Sequence, residues 1–250
     1  MRKTLFTLLV LVLFMSVAIA DPLTLMEDFT QDIAEQYDPD DPSAGTFVYR
    51  CHYPQVDGTA EGGANINEFY SYLLYEQEFY IQMAHDSFEG EDSSTVITYS
   101  VTCNNDDYFS VLIRTEQNNP DISRISWKGN VFSRSHGADG KSYSLPKLLG
   151  ILDPDENEEW KQEVQTEKAD DLIRDMVWDM IEENEAGVDY NGLTKDALSH
   201  IFFPEEDFYL DENGEPVFYL QPADIYYDEV PEGTDLFIFP LLIEDILDEL

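Results

Sequence analysis

Residues 94–133 read STVITYSVTCNNDDYFSVLIRTEQNNPDISRISWKGNVFS, and this stretch decides the fold. It contains three runs rich in aromatic and β-branched residues, at 94–103, 107–116 and 122–133. Such runs are typical of β-strands. The link Asn104-Asn105-Asp106 between the first two runs is a hairpin-type turn. The stretch therefore predicts neighbouring strands that pair antiparallel.

Two long helices are predicted on either side of this stretch. A strand-like run at 46–53 stops at Pro54, and residues 65–86 then repeat apolar side chains mostly at three- and four-residue spacing. That apolar face is predicted to contain Ile66, Phe69, Leu73, Tyr80, Met83 and Ala84. The second helix begins at Asp153-Pro154, which suit a helix cap and the first helical position. Its predicted apolar face contains Trp160, Val164, Leu172, Ile173, Met176, Val177, Met180 and Ile181.

The C-terminal part alternates short helical and strand-like runs. A short helix is predicted near 194–201, and Asn213-Gly214 lies between the runs 208–210 and 217–220, which is a strong hairpin pattern. A strand at 236–239 and an acidic helical turn follow. Together, the elements predict an α+β fold with antiparallel sheets and the two long helices packed on one face.

The N-terminus has the layout of a secretory signal peptide. Arg2 and Lys3 precede an apolar run, and Ala18-Ile19-Ala20 supplies the small residues of a cleavage site. An uncleaved anchor helix is the alternative, although the run is short for a membrane span. The predicted organisation is a signal peptide at 1–20, an acidic N-terminal arm or linker at 21–45, and a domain at 46–250. That domain has an N-terminal part at about 46–118 and a C-terminal part at about 119–250, and the product is expected to be secreted.

Charge limits the classes of partner. The chain of 250 residues has 53 acidic and 13 basic side chains, a net charge of −40. This charge opposes binding to nucleic acid or anionic membranes, because their phosphates would be repelled, and no nucleic-acid partner is expected. Residues 196–250 contain sixteen acids and no Lys or Arg, whereas residues 114–147 hold six basic groups and three acids. No stretch after residue 20 is apolar enough to span a membrane, and the charge favours cationic partners.

Cys51 and Cys103 are the two cysteines of the chain, and both lie in strand-like runs. In an oxidising compartment such a pair usually forms a disulfide, so a Cys51–Cys103 bond is expected. Two separate buried thiols are the alternative.

The sequence contains no nucleophile elbow, P-loop, H-E-x-x-H, dinucleotide-binding fingerprint or C-x-x-C motif, and no cofactor is expected. The histidines His52, His85, His136 and His200 occur singly, without metal-ligand spacing. Residues 153–157 superficially resemble a calcium loop, but Glu158 stands where that loop needs glycine. With 53 acids, no particular pair of carboxylates is identified as a hydrolytic centre.

Several segments, in order along the chain, resemble the RsiV/PdaC-like extracellular domain family. These segments are Phe47–Asp57 (FVYRCHYPQVD) with Ile66-Asn67, Gly140–Leu145 with Leu148-Leu149, Asp207–Leu210 with the Gly214 turn, Val217–Tyr219 with Pro222 and Ile225, and Gly233 with Phe237–Pro240. The resemblance covers roughly residues 46–250. In one place the chain departs from the family, whose central sheet commonly carries a Gly-Gly-Ala-His-Gly segment. Here residues 118–123 read NNPDIS.

The resemblance implies an α+β domain that is found outside bacterial cells. In some relatives it is fused to a polysaccharide deacetylase, and in anti-sigma factors it is a receptor that binds lysozyme. It implies that this chain is a non-catalytic binding or sensor module of the cell envelope, whose partner is a cationic lysozyme-like protein. A peptidoglycan or glycan-fragment binder is the alternative, and an uncharacterised hydrolase is the third.

The acidic C-terminal half is the expected binding surface. A specific interface needs a desolvated aromatic or aliphatic centre in addition to charge. The candidates for that centre are Tyr219, Tyr226 and Tyr227, near the 208–220 hairpin and its exit, and the neighbouring charged candidates are Asp224, Asp228 and Glu229. Burial in the core is the alternative for each tyrosine.

Overall fold

The structure is a computed structural model, and it describes residues 21–41, 43–134, 140–152, 159–184, 187–226, 230–231 and 234–250. The predicted signal peptide at 1–20 lies outside these residues, as do the predicted helix start at 153–158, with its calcium-like loop, and His136. Within the described residues, no helix is both long and apolar enough to cross a membrane.

Helices and strands are mixed along the chain, as the α+β prediction requires. The strands are β1 (Phe29–Gln36), β2 (Thr46–Tyr53), β3 (Ser93–Asn104), β4 (Tyr108–Asn118), β5 (Ser123–Ser133), β6 (Lys141–Ser142), β7 (Phe208–Leu210), β8 (Pro216–Leu220) and β9 (Phe237–Pro240). The helices are α1 (Gly63–Ser87), α2 (Leu145–Leu148), α3 (Glu159–Glu183), α4 (Lys195–Ile201), α5 (Pro222–Ile225) and α6 (Ile243–Glu249).

Six strands form the larger sheet, in the order β1-β2-β3-β4-β5-β6. The meander β3-β4-β5 is antiparallel, as the stretch 94–133 predicts. Strands β2 and β3, however, are parallel. The reason is that α1 connects them, and a crossover helix brings the chain back to the same end of the sheet. The sheet is therefore mixed, and not antiparallel throughout.

The segment expected to be a loose arm is part of this sheet. Residues 29–36 form edge strand β1, which pairs antiparallel with β2 over its whole length. Before it, Leu23 is buried, and its backbone N–H donates to the side-chain oxygen of Asn104 at 2.7 Å. The buried guanidinium of Arg134 donates to the Asp21 carbonyl oxygen at 3.1 Å. The prediction of a linker or loosely docked arm is wrong for these residues.

Each long helix belongs to a different core. Helix α1 packs against β1 and β2, and its Ile66 and Tyr70 join Phe109 and Phe132 in the first core. Helix α3 packs against α2, α4 and α6, and its Ile173 and Val177 join the second core. That core also contains residues of the smaller sheet, whose order is β7-β8-β9. The predicted packing of both long helices on one face is therefore not confirmed.

The larger sheet lies between the two cores. In β5, Phe132 belongs to the first core and the adjacent Val131 to the second. Successive side chains of a strand point to opposite faces, so this strand contributes to both.

The smaller sheet crosses β5 at Gly129. A Cβ atom at this position would lie 1.8 Å from the carbonyl oxygen of Phe208 in β7, so only glycine fits. The N–H of Gly129 donates to Tyr219 Oη at 3.0 Å, and the N–H of Trp127 donates to Gln221 Oε1 at 3.1 Å. These side chains satisfy N–H groups on the edge of β5 that β6 does not reach, and so protect that edge.

The expected disulfide does not form: Cys51 and Cys103 are both free and buried. In the sheet, Cys51 pairs with Ile97, six residues before Cys103, which corresponds to about 20 Å along β3. A disulfide needs Cα atoms roughly 4.4–6.8 Å apart. A register shift between Val101 and Cys103 also turns Cys103 to the second core, while Cys51 lies in the first.

Thiol titration checks this correction. Burial raises the pKa of Cys51 to about 12 and that of Cys103 to about 11, so neither thiol is reactive in the folded protein. We expect almost no reaction with a thiol reagent under native conditions and two reactive thiols after unfolding without reductant. Finding none after unfolding would contradict the structure.

Replacing Gly129 tests the crossing of the sheets. The Gly129→Ala change puts a methyl group against the Phe208 carbonyl and is expected to cost about 3 kcal/mol of unfolding free energy. Gly150→Ala is the control, because nothing lies within 4 Å of its Cβ position and only its positive φ of 67° is strained. That strain costs about 1 kcal/mol. Equal losses from the two changes in chemical denaturation would contradict the close approach.

Candidate functional site

Tyr219, the first residue of the predicted binding centre, is part of the core. Its side chain is fully buried, and its Oη accepts the hydrogen bond from Gly129 described above. Burial is also the main cause that raises its pKa. Tyr219 therefore joins the two sheets, and the prediction that places it in an exposed interface is wrong.

The other described candidates near the hairpin are also engaged within the fold. Tyr226 is half-buried, and its Oη donates to the carbonyl oxygen of Asp189 at 2.8 Å. Asp224 is half-buried too: burial raises its pKa, and the Arg124 guanidinium, 3.8 Å away, opposes that rise. Tyr227, Asp228 and Glu229 lie outside the described residues.

An exposed aromatic surface lies instead on helix α1. Tyr72, Tyr75, Phe79 and Met83 follow one another at spacings of three, four and four residues, which places them on one side of the helix. Tyr75 is 68% exposed and Phe79 is 65% exposed. Tyr80 is exposed beside Phe79, with ring centroids 5.8 Å apart. These five side chains are called the α1 face below.

The α1 face lies opposite the side of the helix that is packed on the sheet. Ile66, Tyr70 and Gln77 are buried on that other side, and Tyr49 Oη donates to Gln77 Oε1 at 2.6 Å. The sequence prediction assigned Tyr80 and Met83 to the buried side, but both are exposed. Helix α1 is thus apolar on two sides, and the sheet covers one of them.

The charged residues around the α1 face are all acidic. Helix α1 contains Glu68, Glu76, Glu78 and Asp86, and no Lys or Arg occurs between Arg50 and Arg114. The neighbouring Glu76 carboxylate raises the pKa of the Tyr72 hydroxyl. From Tyr72 to Met83 the surface is about 16 Å long. It combines an aromatic centre with an acidic border, which is the pattern of a protein-binding surface for a basic partner.

Among the described residues, no group of three or more His, Cys, Asp or Glu side chains could hold a metal ion. Two of the histidines lie in partly exposed pairs with carboxylates. His52 Nε2 is 3.3 Å from Asp32 Oδ1, and His85 Nε2 is 3.2 Å from Glu35 Oε1.

Residues 118–123, where the chain departs from the Gly-Gly-Ala-His-Gly pattern, comprise the end of β4, the turn at 119–122 and the start of β5. The Asn119 N–H donates to the Ile122 carbonyl oxygen at 2.8 Å, and the Asn119 side chain accepts from the N–H groups of Asp121 and Ile122. The turn is therefore closed by the side chain of Asn119.

Comparison with known proteins gives a fold relationship. No family model matches the chain, and no curated protein matches it. The structure is similar to the crystal structure, at 2.30 Å resolution, of a member of the DUF3298 family from Bacteroides fragilis, with a TM-score of 0.50 and 12% sequence identity. The similarity covers 92% of this chain and 94% of that one. DUF3298 is related to the RsiV/PdaC-like domains, so the likeness agrees with the sequence resemblance at the level of the fold.

Two tyrosines of α1, one on the buried side of the helix and one on the α1 face, form a matched pair for a test of stability. Tyr70→Ala should cost about 3–5 kcal/mol of unfolding free energy, because Tyr70 is fully buried in the first core. Tyr75→Ala should change it by no more than about 0.5 kcal/mol, because the ring lies in solvent. Chemical denaturation of the two variants measures both values. A large loss for Tyr75→Ala would mean that this ring stabilises the fold.

Proposed function

We propose that the protein is a non-catalytic binding or sensor module for a cationic protein of the lysozyme-like class, and that the partner docks on the α1 face. The observation that carries this proposal is the row of exposed aromatic side chains within an acidic border. A soluble domain rarely leaves so many large apolar groups exposed together unless they bind something. Membership of the RsiV/PdaC-like family is part of the same proposal, and the DUF3298 fold likeness supports it.

Charge favours a basic partner over a second copy of this chain. The protein has a net charge of −40, and two α1 faces brought together would place Glu68, Glu76 and Asp86 against their own copies. Like charges at an interface cost binding free energy. A partner with Lys and Arg around an apolar patch would meet opposite charge at the border and aromatic rings at the centre.

Binding would proceed in two physical stages. The field of the whole chain, including the sixteen acids of residues 196–250, draws a cationic protein to the surface and raises the association rate. This attraction weakens beyond roughly 8–10 Å at physiological salt. At contact, desolvation of Tyr75 and Phe79 supplies the short-range free energy that gives a lasting complex.

Secretion belongs to the proposal as well. The sequence pattern at 1–20 supports a signal peptide, and Asp21, which follows the proposed cleavage site, is already held by Arg134. The buried, unreactive thiols of Cys51 and Cys103 are compatible with an oxidising compartment, because they are shielded from reagents.

A calorimetric titration with a cationic lysozyme tests the proposed function. We expect heat of binding at low salt, and a weaker but measurable affinity at physiological salt. The double change Tyr75→Ala/Phe79→Ala should weaken the affinity by at least about tenfold at both salt concentrations, which corresponds to about 1.4 kcal/mol. Trp160→Ala is the matched control, since Trp160 is an exposed aromatic residue of α3, and it should leave the affinity unchanged.

Three results would contradict the proposal. Absence of heat at low salt would discard the lysozyme-like partner. Complete loss of binding at physiological salt, with no effect of the double change, would reduce the interaction to nonspecific attraction. Binding of peptidoglycan fragments, with an affinity that salt does not alter, would favour the glycan-binding alternative, in which the exposed rings stack on sugars.

A further inference from the structure

A groove on the other long helix contains a group of carboxyl side chains. Glu163, Glu167, Asp170, Asp171 and Arg174 lie at spacings that place them along one side of α3. Glu205, in the turn after α4, also lines the groove. The groove has a volume of about 700 Å³. It therefore places five carboxyl groups around one guanidinium.

Asp170 and Glu205 meet at the floor of this groove. The Asp170 side chain is only 8% exposed, and its Oδ1 and Glu205 Oε2 are shielded from solvent and have no donor among the described residues. The two carboxyl groups lie close enough to influence each other's ionisation. Ionised carboxylates only accept hydrogen bonds, so the two groups can bond to each other only when they share one proton.

The surroundings favour the protonated pair. Burial raises the pKa of Asp170 well above the usual range of a carboxyl group, the neighbouring Glu205 carboxyl adds to this rise, and Arg174 opposes it. Arg174 Nη2 is 3.9 Å from Asp170 Oδ2, but the same guanidinium donates to Asp171 at 2.8 Å and to the Phe202 carbonyl oxygen at 3.3 Å. On the side of the turn, Lys128 is paired with Glu206 at 2.9 Å.

Most of the described charged groups near the pair are acidic, although Lys147 of α2 lines a neighbouring groove together with Glu205 and Glu206, and Lys168 precedes Asp170 on α3. Glu163, Glu167 and Asp171 face the pair from α3, and Glu206 and Asp207 follow Glu205 in the turn. Two buried carboxyl oxygens without a donor, a groove lined by the residues that carry them, and an excess of negative charge are the features of a site for a cation that carries N–H groups. A hard metal ion fits less well, since no three ligand side chains of the described residues converge here.

We propose that Asp170 and Glu205 bind a guanidinium or ammonium group, which enters from the groove and takes the place of their shared proton. On binding, the proton leaves to solvent, and both carboxylates accept hydrogen bonds from the N–H groups of the ligand. The site is separate from the α1 face, and the proposal does not depend on the proposed function.

Carboxyl NMR signals of the protein, titrated with methylguanidinium and with methylammonium, test this site. The Asp170 signal is identified by its loss in Asp170→Asn, and we expect it to titrate well above the usual carboxyl range of about 4. Either ligand should lower that midpoint. Because the proton and the cation compete, the affinity for the cation should increase about tenfold for each unit by which the pH increases, until the pH reaches the midpoint.

Matched variants and a control ion complete the experiment. The Asp170→Asn change keeps an N–H donor for Glu205 but removes the ionisable group. The affinity for either cation at pH 8 should therefore fall at least tenfold and should no longer depend on pH. Glu212→Gln removes one charge from the exposed β7–β8 turn and should change neither quantity. Tetramethylammonium carries charge but no N–H group, so it should not lower the midpoint. Equal effects of tetramethylammonium and the two ligands, unchanged binding in Asp170→Asn, or an Asp170 midpoint near 4 would each overturn the proposal.

Discussion

At Gly129, the backbone of β5 passes so close to the Phe208 carbonyl of β7 that no side chain fits between them. Hydrogen bonds to buried hydroxyl groups hold the sheets together at this crossing. Gly129 donates to the buried Tyr219 hydroxyl at 3.0 Å, and the Leu210 N–H donates to the buried Ser110 hydroxyl at 3.0 Å. The buried Leu210 N–H would cost roughly 1–3 kcal/mol if its acceptor were removed. The crossing therefore fixes the smaller sheet, and with it the second core, on the outer side of the meander.

This arrangement determines which apolar surfaces remain open. One face of the larger sheet is covered by α1, and part of the other face is covered by the second core. The aromatic residues of the β7–β8 hairpin are part of the core: Phe218 and Tyr219 are completely buried. Helix α1 lies at the outside of the first core, so its second apolar side faces solvent. The proposed docking surface thus lies on α1, because α1 is the outer layer of the first core. It is not formed by the acidic C-terminal half.

The sequence predicts the local elements well and the long-range ones poorly. The meander at 94–133, helix α1 and the β7–β8 hairpin agree with their predicted positions, because turn residues and side-chain spacing act over a few residues. Strand β1 was missed because its alternation is weak and its partner β2 lies beyond a loop rich in Asp and Pro. The prediction of a Cys51–Cys103 disulfide was wrong because a bulge in β3 turns Cys103 to the other core, and the sequence pattern does not indicate this bulge. The α1 face was missed because the sequence of a helix that is apolar on two sides does not indicate which side is buried. Asp170 and Glu205 were not predicted to lie together, because they are 35 residues apart and no motif connects them.

Native-state hydrogen exchange at the crossing tests the central claim, that the two sheets form one cooperative unit joined at Gly129. The amides of Gly129 and Leu210 should exchange with the same free energy and the same denaturant dependence as the amide of Val111, in the middle of the meander. That result would mean that they open only when the whole protein unfolds. Exchange of Gly129 and Leu210 through a lower-energy opening, while Val111 stays protected, would show that the smaller sheet separates on its own and would contradict the account.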